Sequence, residues 1–294
     1  MDIKQILQSA AARALDNLDA ELIIALALKK DRAFVLAHLD QEIKARDVQR
    51  IMALVAKRRA GLPFAYLQGE KEFYGLSFLV NPAVLVPRPE TELMVEEILK
   101  TGNQQSLNLI DVGTGSGAIA LSIAKKRKNL DDRYLALDIS TAALRIARLN
   151  ARRLDIDKKI SFKTSDLLRK FIASPRLLRI WRTDGMENNK CPLIIAANLP
   201  YLRPEQIKGD IKHEPRLALV AGADGLKYYR RLLPQVATLI KLGFNNIKII
   251  LEIDPSQTAE LKRLAIETFR PNLKDLKIKK DLAKRNRFLI IESQ

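Results

Sequence analysis

Three groups of residues in this 294-residue chain have the types and spacing to do chemistry. The first is Asp111-Val-Gly-Thr-Gly-Ser-Gly, which follows the apolar run 107–110 and opens into a helical pattern over 118–126. A buried strand, a glycine-rich turn and a new helix make a nucleotide cradle. Gly113, Gly115 and Gly117 let the backbone approach a ligand, Thr114 and Ser116 stand between them, and the first N–H groups of the helix face what docks there. The second is Asp138, at the carboxyl end of the next apolar run 134–138, where an acid accepts both hydroxyls of a ribose. The third is Asn198-Leu199-Pro200-Tyr201, after the apolar run 193–197.

The glycine spacing is Gly-x-Gly-x-Gly, not the Gly-x-Gly-x-x-Gly that brings a helix close to a pyrophosphate. With Asp111 just ahead of it, the loop favours S-adenosylmethionine over a dinucleotide. The third group suits methylation of a planar nitrogen, whose lone pair is delocalised and therefore poorly nucleophilic. The side-chain oxygen of Asn198 and the backbone carbonyl of Leu199 each accept one N–H and aim the lone pair at a methyl donor, while Tyr201 offers a flat ring. No strong base is needed, because the N-methylated intermediate is acidic. Each motif also has a bland reading: a strand-to-helix turn with a surface acid, and a proline turn after a strand. A glycine loop alone is common to doubly wound folds, so the assignment rests on the three together.

The elements that must position these residues follow from periodicity. Strand candidates at 107–110, 135–137, 159–163, 193–197, 247–253 and 288–291 alternate with helical patterns, which calls for a mostly parallel sheet covered on both faces. Residues 1–70 read as short amphipathic helices forming a small helical domain that docks a macromolecular substrate. Residues 71–86 read as a β-hairpin linker around Gly75, and 87–294 as the main domain. Val86-Pro-Arg-Pro-Glu-Thr-Glu stiffens the chain around Arg88; Thr91 is expected to cap the following helix, and Arg88 and Glu90 to stand at the rim of the site. The stretch between Asp166 and Cys191, with Trp181 and a polar tail, reads as a partial helix and a mobile insertion.

Composition sets the remaining bounds. A net charge of +17 points to an acidic partner, with ribosome or RNA as candidates for the basic surface, although the basic residues are scattered into clusters at 125–128, 152–153 and 277–287. No apolar run has the length of a membrane span and the first residues lack a secretory layout, so a cytoplasmic monomer is expected. One cysteine, Cys191, excludes an internal disulfide. With only His38 and His213 besides, no metal site is expected; Cys191 reads as a buried small hydrophobe and His38 as structural.

Together, the glycine loop, Pro87-Arg-Pro-Glu-Thr-Glu92, Asn198-Leu-Pro-Tyr201, His213-Glu-Pro-Arg-Leu-Ala-Leu219, Asp224-Gly-Leu226 and Tyr229-Arg230 resemble the peptide chain release factor glutamine methyltransferases, over nearly the whole chain. The resemblance implies an α/β fold: a Rossmann-like class I methyltransferase sheet with a small all-helical amino-terminal domain. It also implies transfer of a methyl group from S-adenosylmethionine to the glutamine amide of the Gly-Gly-Gln loop of a release factor. Carried over, Gly113 to Gly117, Asp138, Asp166, Leu167 and Asn198 contact the cofactor. Asn198 to Tyr201 grip the glutamine, with Arg88 and Glu90 beside them. Two departures stand out. The family usually has proline where Leu199 stands, a change expected to reduce activity rather than abolish it, since Pro200 still holds Leu199 extended. The connection after Asp166 is also long, which bears on Leu167 beside the adenine. Asn-Leu-Pro-Tyr resembles the tetrapeptide of ribosomal RNA adenine dimethyltransferases too, so an RNA adenine N-methyltransferase and a non-catalytic S-adenosylmethionine-binding module remain the alternatives.

Overall fold

The apolar runs pair into one seven-stranded sheet. The computed structural model describes residues 1–9, 12, 14–101, 106–181 and 192–294. In chain order its strands are β3 (Asn108–Val112), β4 (Arg133–Asp138), β5 (Ile160–Thr164), β6 (Leu193–Ala197), β7 (Ile247–Glu252), β8 (Leu273–Lys280) and β9 (Asn286–Ser293). Across the sheet the order is β5-β4-β3-β6-β7-β9-β8. All neighbours are parallel except β9, which runs antiparallel to both β7 and β8. This is the Rossmann-like sheet of class I methyltransferases, closed at one edge by an antiparallel hairpin.

The central strands are apolar because both faces are covered. β3 and β6 are buried at every residue. Alternate side chains go to opposite faces, so Ile110, Val112 and Ile195 join one core cluster while Leu109, Ile194 and Ala196 join the other. Edge strands differ. Along β8 apolar Leu273, Leu276 and Ile278 are interrupted by exposed Lys274, Lys277 and Lys280, so the strand reads in sequence as part of a basic cluster rather than as a strand. Lysines on an edge strand keep it from pairing with another chain. Among the described residues no helix is long and apolar enough to cross a membrane.

By packing, the chain divides into two units, Met1–Glu70 with Lys208–His213, and Lys71–Ile207 with Glu214–Gln294. The first holds α1 (Ile3–Leu7), α2 (Asn17–Leu28), α3 (Arg32–Ala37), α4 (Ala45–Arg59) and α5 (Phe64–Gln68). Asp2, Asp16 and Asp31 cap the first three of these helices through their side chains. α2 is the central helix of this unit, burying Ile23 and Ile24. Arg58 ties α4 to Asp19 and to Asp210, each at 2.5 Å, which holds the 208–213 excursion to the helices. His38 ends α3, stacked on Phe34 with Nδ1 2.9 Å from the Phe34 carbonyl.

β1 (Glu70–Phe73), which lies in the second unit from Lys71 on, and β2 (Leu76–Leu79) form the hairpin, with Gly75 at its turn. The remaining helices are α6 (Glu92–Thr101), α7 (Ala118–Lys126), α8 (Thr141–Arg153), α9 (Arg169–Ile172), α10 (Pro175–Trp181), α11 (Lys227–Lys241) and α12 (Thr258–Phe269). The stretch after Asp166 thus carries two short helices, and buried Trp181 meets Phe171 edge-on at 5.7 Å. Its polar tail and Cys191 lie outside the described residues.

One buried amide joins hairpin to loop. Asn150 of α8 accepts from the Leu79 N–H at 2.7 Å and donates to the carbonyls of Leu79 (3.1 Å) and Ser116 (2.9 Å). Truncation would remove a fully buried amide and leave the Ser116 carbonyl and the part-buried Leu79 groups without this partner. Asn150→Ala is therefore expected to lower unfolding stability by ~2–4 kcal/mol, read by urea denaturation, whereas a change below ~0.5 kcal/mol would deny the amide this role.

Candidate active site

The site is built by register. In the parallel pairing of β3 with β6, Val112 lies opposite Ala197, and in that of β3 with β4, Val112 lies opposite Leu137. The residues that follow, Gly113, Asn198 and Asp138, consequently emerge side by side at the carboxyl ends of three adjacent strands. Here the strand order reverses, the place where an open α/β sheet leaves a crevice. The crevice is a cavity of about 1050 Å³, its open mouth included.

Backbone and acid lock the glycine loop. Gly113 and Thr114 N–H both donate to the Leu137 carbonyl, at 2.8 and 2.9 Å. Gly115 N–H donates to Asp138 Oδ2 at 2.9 Å, and Ser140 N–H to Oδ1 at 2.8 Å. Gly113 is left-handed (φ 77°), and a Cβ there would stand 3.0 Å from Leu199 Cδ2. At Gly117 (φ 86°) a Cβ would come within 2.7 Å of Leu121 Cδ1, so this glycine lets α7 begin against its own first turn. Beneath the loop Asp111 Oδ2 accepts from Thr114 Oγ1 (2.6 Å) and from the Ala120 N–H (3.3 Å). Its Oδ1 is buried and has no hydrogen-bond partner among the described residues. Burial first, and then the charge of Asp138, raise the Asp111 carboxyl to about 7. Burial also raises Asp138, against the N–H bonds that hold it down.

Of the residues singled out in the sequence, Gly113, Thr114, Gly115, Ser116, Asp138, Asp166, Leu167, Asn198, Leu199, Pro200 and Arg88 all line this cavity. Asp166 pairs with Arg231, and Leu167, next to it, is buried with φ 53°. Gly117, Tyr201 and Glu90 are not on the wall. Glu90 is exposed on the 3₁₀ turn Pro89–Thr91. Tyr201 packs against the core, with its hydroxyl 3.3 Å from Glu252 Oε1, its carbonyl accepting from Gln257 Nε2 at 2.9 Å, and its hydroxyl pKa raised by burial. Thr91 does not serve as the expected cap; its hydroxyl donates to Glu252 Oε2 at 2.7 Å and accepts from Asn198 Nδ2 at 3.1 Å.

Several contributors were given no role in the site by the sequence, although one of them, Glu214, stands in the motif His213-Glu-Pro-Arg-Leu-Ala-Leu219. Glu214 is buried, accepts from the Val86 N–H at 2.9 Å and holds Arg88 Nη2 at 2.5 Å, so the two prolines around Arg88 are only part of what aims it. Glu252 and Tyr228 were missed as well. For Glu252 the available signal was its carboxylate set inside the apolar run Ile249-Ile-Leu-Glu-Ile253.

The residues present fit S-adenosylmethionine. The space before Gly115 is open, Asp138 faces the cavity from the neighbouring strand, and the orphaned Oδ1 of Asp111 adds negative potential below a loop that would meet a sulfonium cation. Gly113 to Ser116 and Asp138 would hold this cofactor, which supplies an electrophilic methyl group. Fold and site together define a class I, S-adenosylmethionine-dependent methyltransferase.

Comparison with known proteins narrows the class. Residues 2–69 match the family model described as the PrmC N-terminal domain, and residues 103–172 match one described as a methyltransferase domain. A release factor glutamine methyltransferase of Moorella thermoacetica is 39% identical over 85% of this chain and 82% of its own length. One from Bacillus subtilis is 33% identical over 85% and 83%. The catalytic domain of hMettl16 in complex with the MAT2A 3'UTR hairpin 6 shares the fold at 12% identity, with a TM-score of 0.51 over 85% of this chain and 82% of that one. The chain belongs to the release factor glutamine methyltransferase family.

Asp138→Ala removes a carboxylate that both shapes the loop and faces the cavity. Calorimetric titration with S-adenosylhomocysteine is expected to show affinity about 10–100-fold weaker, the loss of one or two charge-assisted hydrogen bonds. Unchanged affinity would place the cofactor elsewhere.

Proposed function

We propose that this protein methylates the side-chain amide nitrogen of the glutamine in the Gly-Gly-Gln loop of a peptide chain release factor, with S-adenosylmethionine as methyl donor. The observation that carries the reading is the position of Asn198. It stands on the cavity wall beside Gly113, next to the loop that holds the cofactor, and its amide nitrogen is already engaged by Thr91. Its Oδ1 is thereby left to accept one N–H of a substrate amide.

The Leu199 carbonyl accepts the second amide proton. Two acceptors fix the plane of the amide and point the nitrogen lone pair toward the methyl group; holding a near-attack geometry accounts for much of such a rate enhancement. Pro200 restrains the loop, and Tyr201, held by Glu252 and Gln257, keeps it seated. Arg88, oriented by Glu214, meets the substrate backbone at the rim. The helical unit of residues 1–70 docks the body of the release factor, and the hairpin at 71–86 links it to the catalytic region. The support for release factor over other amides is the agreement of curated relatives over most of the chain.

The test is mass spectrometry of purified release factor after incubation with the protein and S-adenosylmethionine. One methyl group on the Gly-Gly-Gln glutamine is expected, insensitive to ribonuclease, and Asn198→Ala should lower the rate by about 100-fold or more. Methylated adenine in ribosomal RNA with unmodified protein would overturn the reading.

A further inference from the structure

The Asn198 carboxamide is nearly symmetric in shape but opposite in chemistry at its two ends. Only the orientation with Oδ1 in the cavity can accept from a substrate amide; the flipped side chain would set one NH₂ group against another. Something must choose between them.

We propose that Glu252, acting through the Thr91 hydroxyl, fixes which end of the Asn198 carboxamide faces the cavity. This rests on the function proposed above and names two positioning residues for it. The argument is a count of protons along the chain of bonds. An ionised carboxylate only accepts, so Thr91 must give its single hydroxyl proton to Glu252 Oε2, as it does at 2.7 Å. Having donated, Thr91 Oγ1 can only accept from Asn198, which must present Nδ2, as it does at 3.1 Å. Oδ1 is then turned toward substrate. Glu252 Oε1 accepts from the Tyr201 hydroxyl at 3.3 Å, so one carboxylate orders both ends of the Asn198–Tyr201 segment.

A proton on Glu252 reverses the sequence. The neutral acid donates to Thr91, Thr91 is freed to donate to Asn198 Oδ1, and the carboxamide turns its NH₂ into the cavity. Glu252 is completely buried, and that burial raises its pKa to about 7. The groups facing it are Thr91 and Glu90 from the Pro89–Thr91 turn, Tyr201 from the loop after β6, Arg287 from β9, and Tyr229 of α11, whose hydroxyl donates to the Glu252 backbone carbonyl. Thr91, Arg287 and Tyr201 favour the charged form, and Glu90 opposes it. The competent form is thus present above about pH 7 and is lost as the pH falls through that value.

Turnover and side-chain NMR test the relay together. With saturating cofactor and release factor, Thr91→Val, which removes the hydroxyl but keeps the shape, is expected to lower kcat by about 10–100-fold with KM within about threefold, and Thr91→Ser to restore it. The wild-type kcat should fall on the acid side of about pH 7, and that limb should vanish in Thr91→Val and in Glu252→Gln. Asp111 is also raised to about 7, so a limb surviving unchanged in both variants would belong to Asp111 and overturn the proposal. Equal kcat in wild type and Thr91→Val would overturn it as well. Independently of any substrate, the ¹⁵N-labelled Asn198 side-chain resonance, assigned by its absence in Asn198→Asp, should titrate near pH 7 in wild type and not in Glu252→Gln. If release factor is not methylated at all, the functional reading fails while this resonance still decides the relay: titration in wild type alone supports it, and a pH-independent resonance overturns it.

Discussion

The parallel pairing of β3 with β6 is the constraint on which the site depends. Asn108 and Asp111 are the polar residues of these two strands, which are otherwise apolar because both faces of the sheet are covered. Yet their register, Val112 opposite Ala197, is what sets Gly113 beside Asn198. A slip of one residue would reverse the faces of every side chain on the strand, exchanging Ile110 and Val112 with Leu109 between the two cores. The cost of that exchange in a packed interior specifies the register. The chemistry inherits its precision from hydrophobic burial some residues away.

Much of this was legible beforehand, for reasons that differ by element. The loop, the acid and the tetrapeptide announced themselves because a glycine repeat, a terminal carboxylate and a proline turn are unusual directly after apolar runs. The six strand candidates were legible as well, most plainly β3, β4, β6 and β7, since central parallel strands read as nearly continuous apolar segments. β8 was not, because an edge strand has one open side and fills it with lysines. Tyr201 was expected against the substrate; the cavity wall instead carries Tyr228, while Tyr201 turns into the core toward Glu252. Sequence adjacency to Asn198 could not reveal that turn, since it depends on β7 and on Gln257, distant along the chain. The partners of Arg88 and Thr91 are hidden for the same reason: Glu214 lies 126 residues from Arg88, and Glu252 lies 161 from Thr91.

Asp111 and Glu252 are fully buried in the second unit, and their surroundings explain why the fold tolerates them. A lone ionised carboxylate in an apolar interior is costly enough that it would neutralise itself instead. Asp111 and Glu252 are both raised only to about 7, where partner N–H and O–H groups hold the charged form in reach. Each of those partners belongs to a different element from the acid it serves: Thr114 and Ala120 for Asp111, Thr91 and Tyr201 for Glu252. The acids therefore act as ties between segments that apolar contacts alone would leave free to shift.

Leu199 shows how packing can replace a covalent restraint. The family resemblance implies proline at this position, whose ring would limit the backbone directly. Here the leucine side chain is buried, with Cδ2 set where a Cβ on Gly113 would stand 3.0 Å away. Burying such a side chain contributes about 1.5–3 kcal/mol, comparable to the entropy of fixing one residue's backbone. The restraint is now shared: Gly113, a residue of the cavity wall, also makes the room that seats Leu199. A larger residue at 113 would therefore disturb both sides of the cavity at once, the glycine loop after β3 and the Asn198–Tyr201 segment after β6. Besides the β3–β6 pairing, the two loops are thus fitted to each other at Gly113 and Leu199, a fit that a proline at 199, lacking the longer branch, would make less tightly.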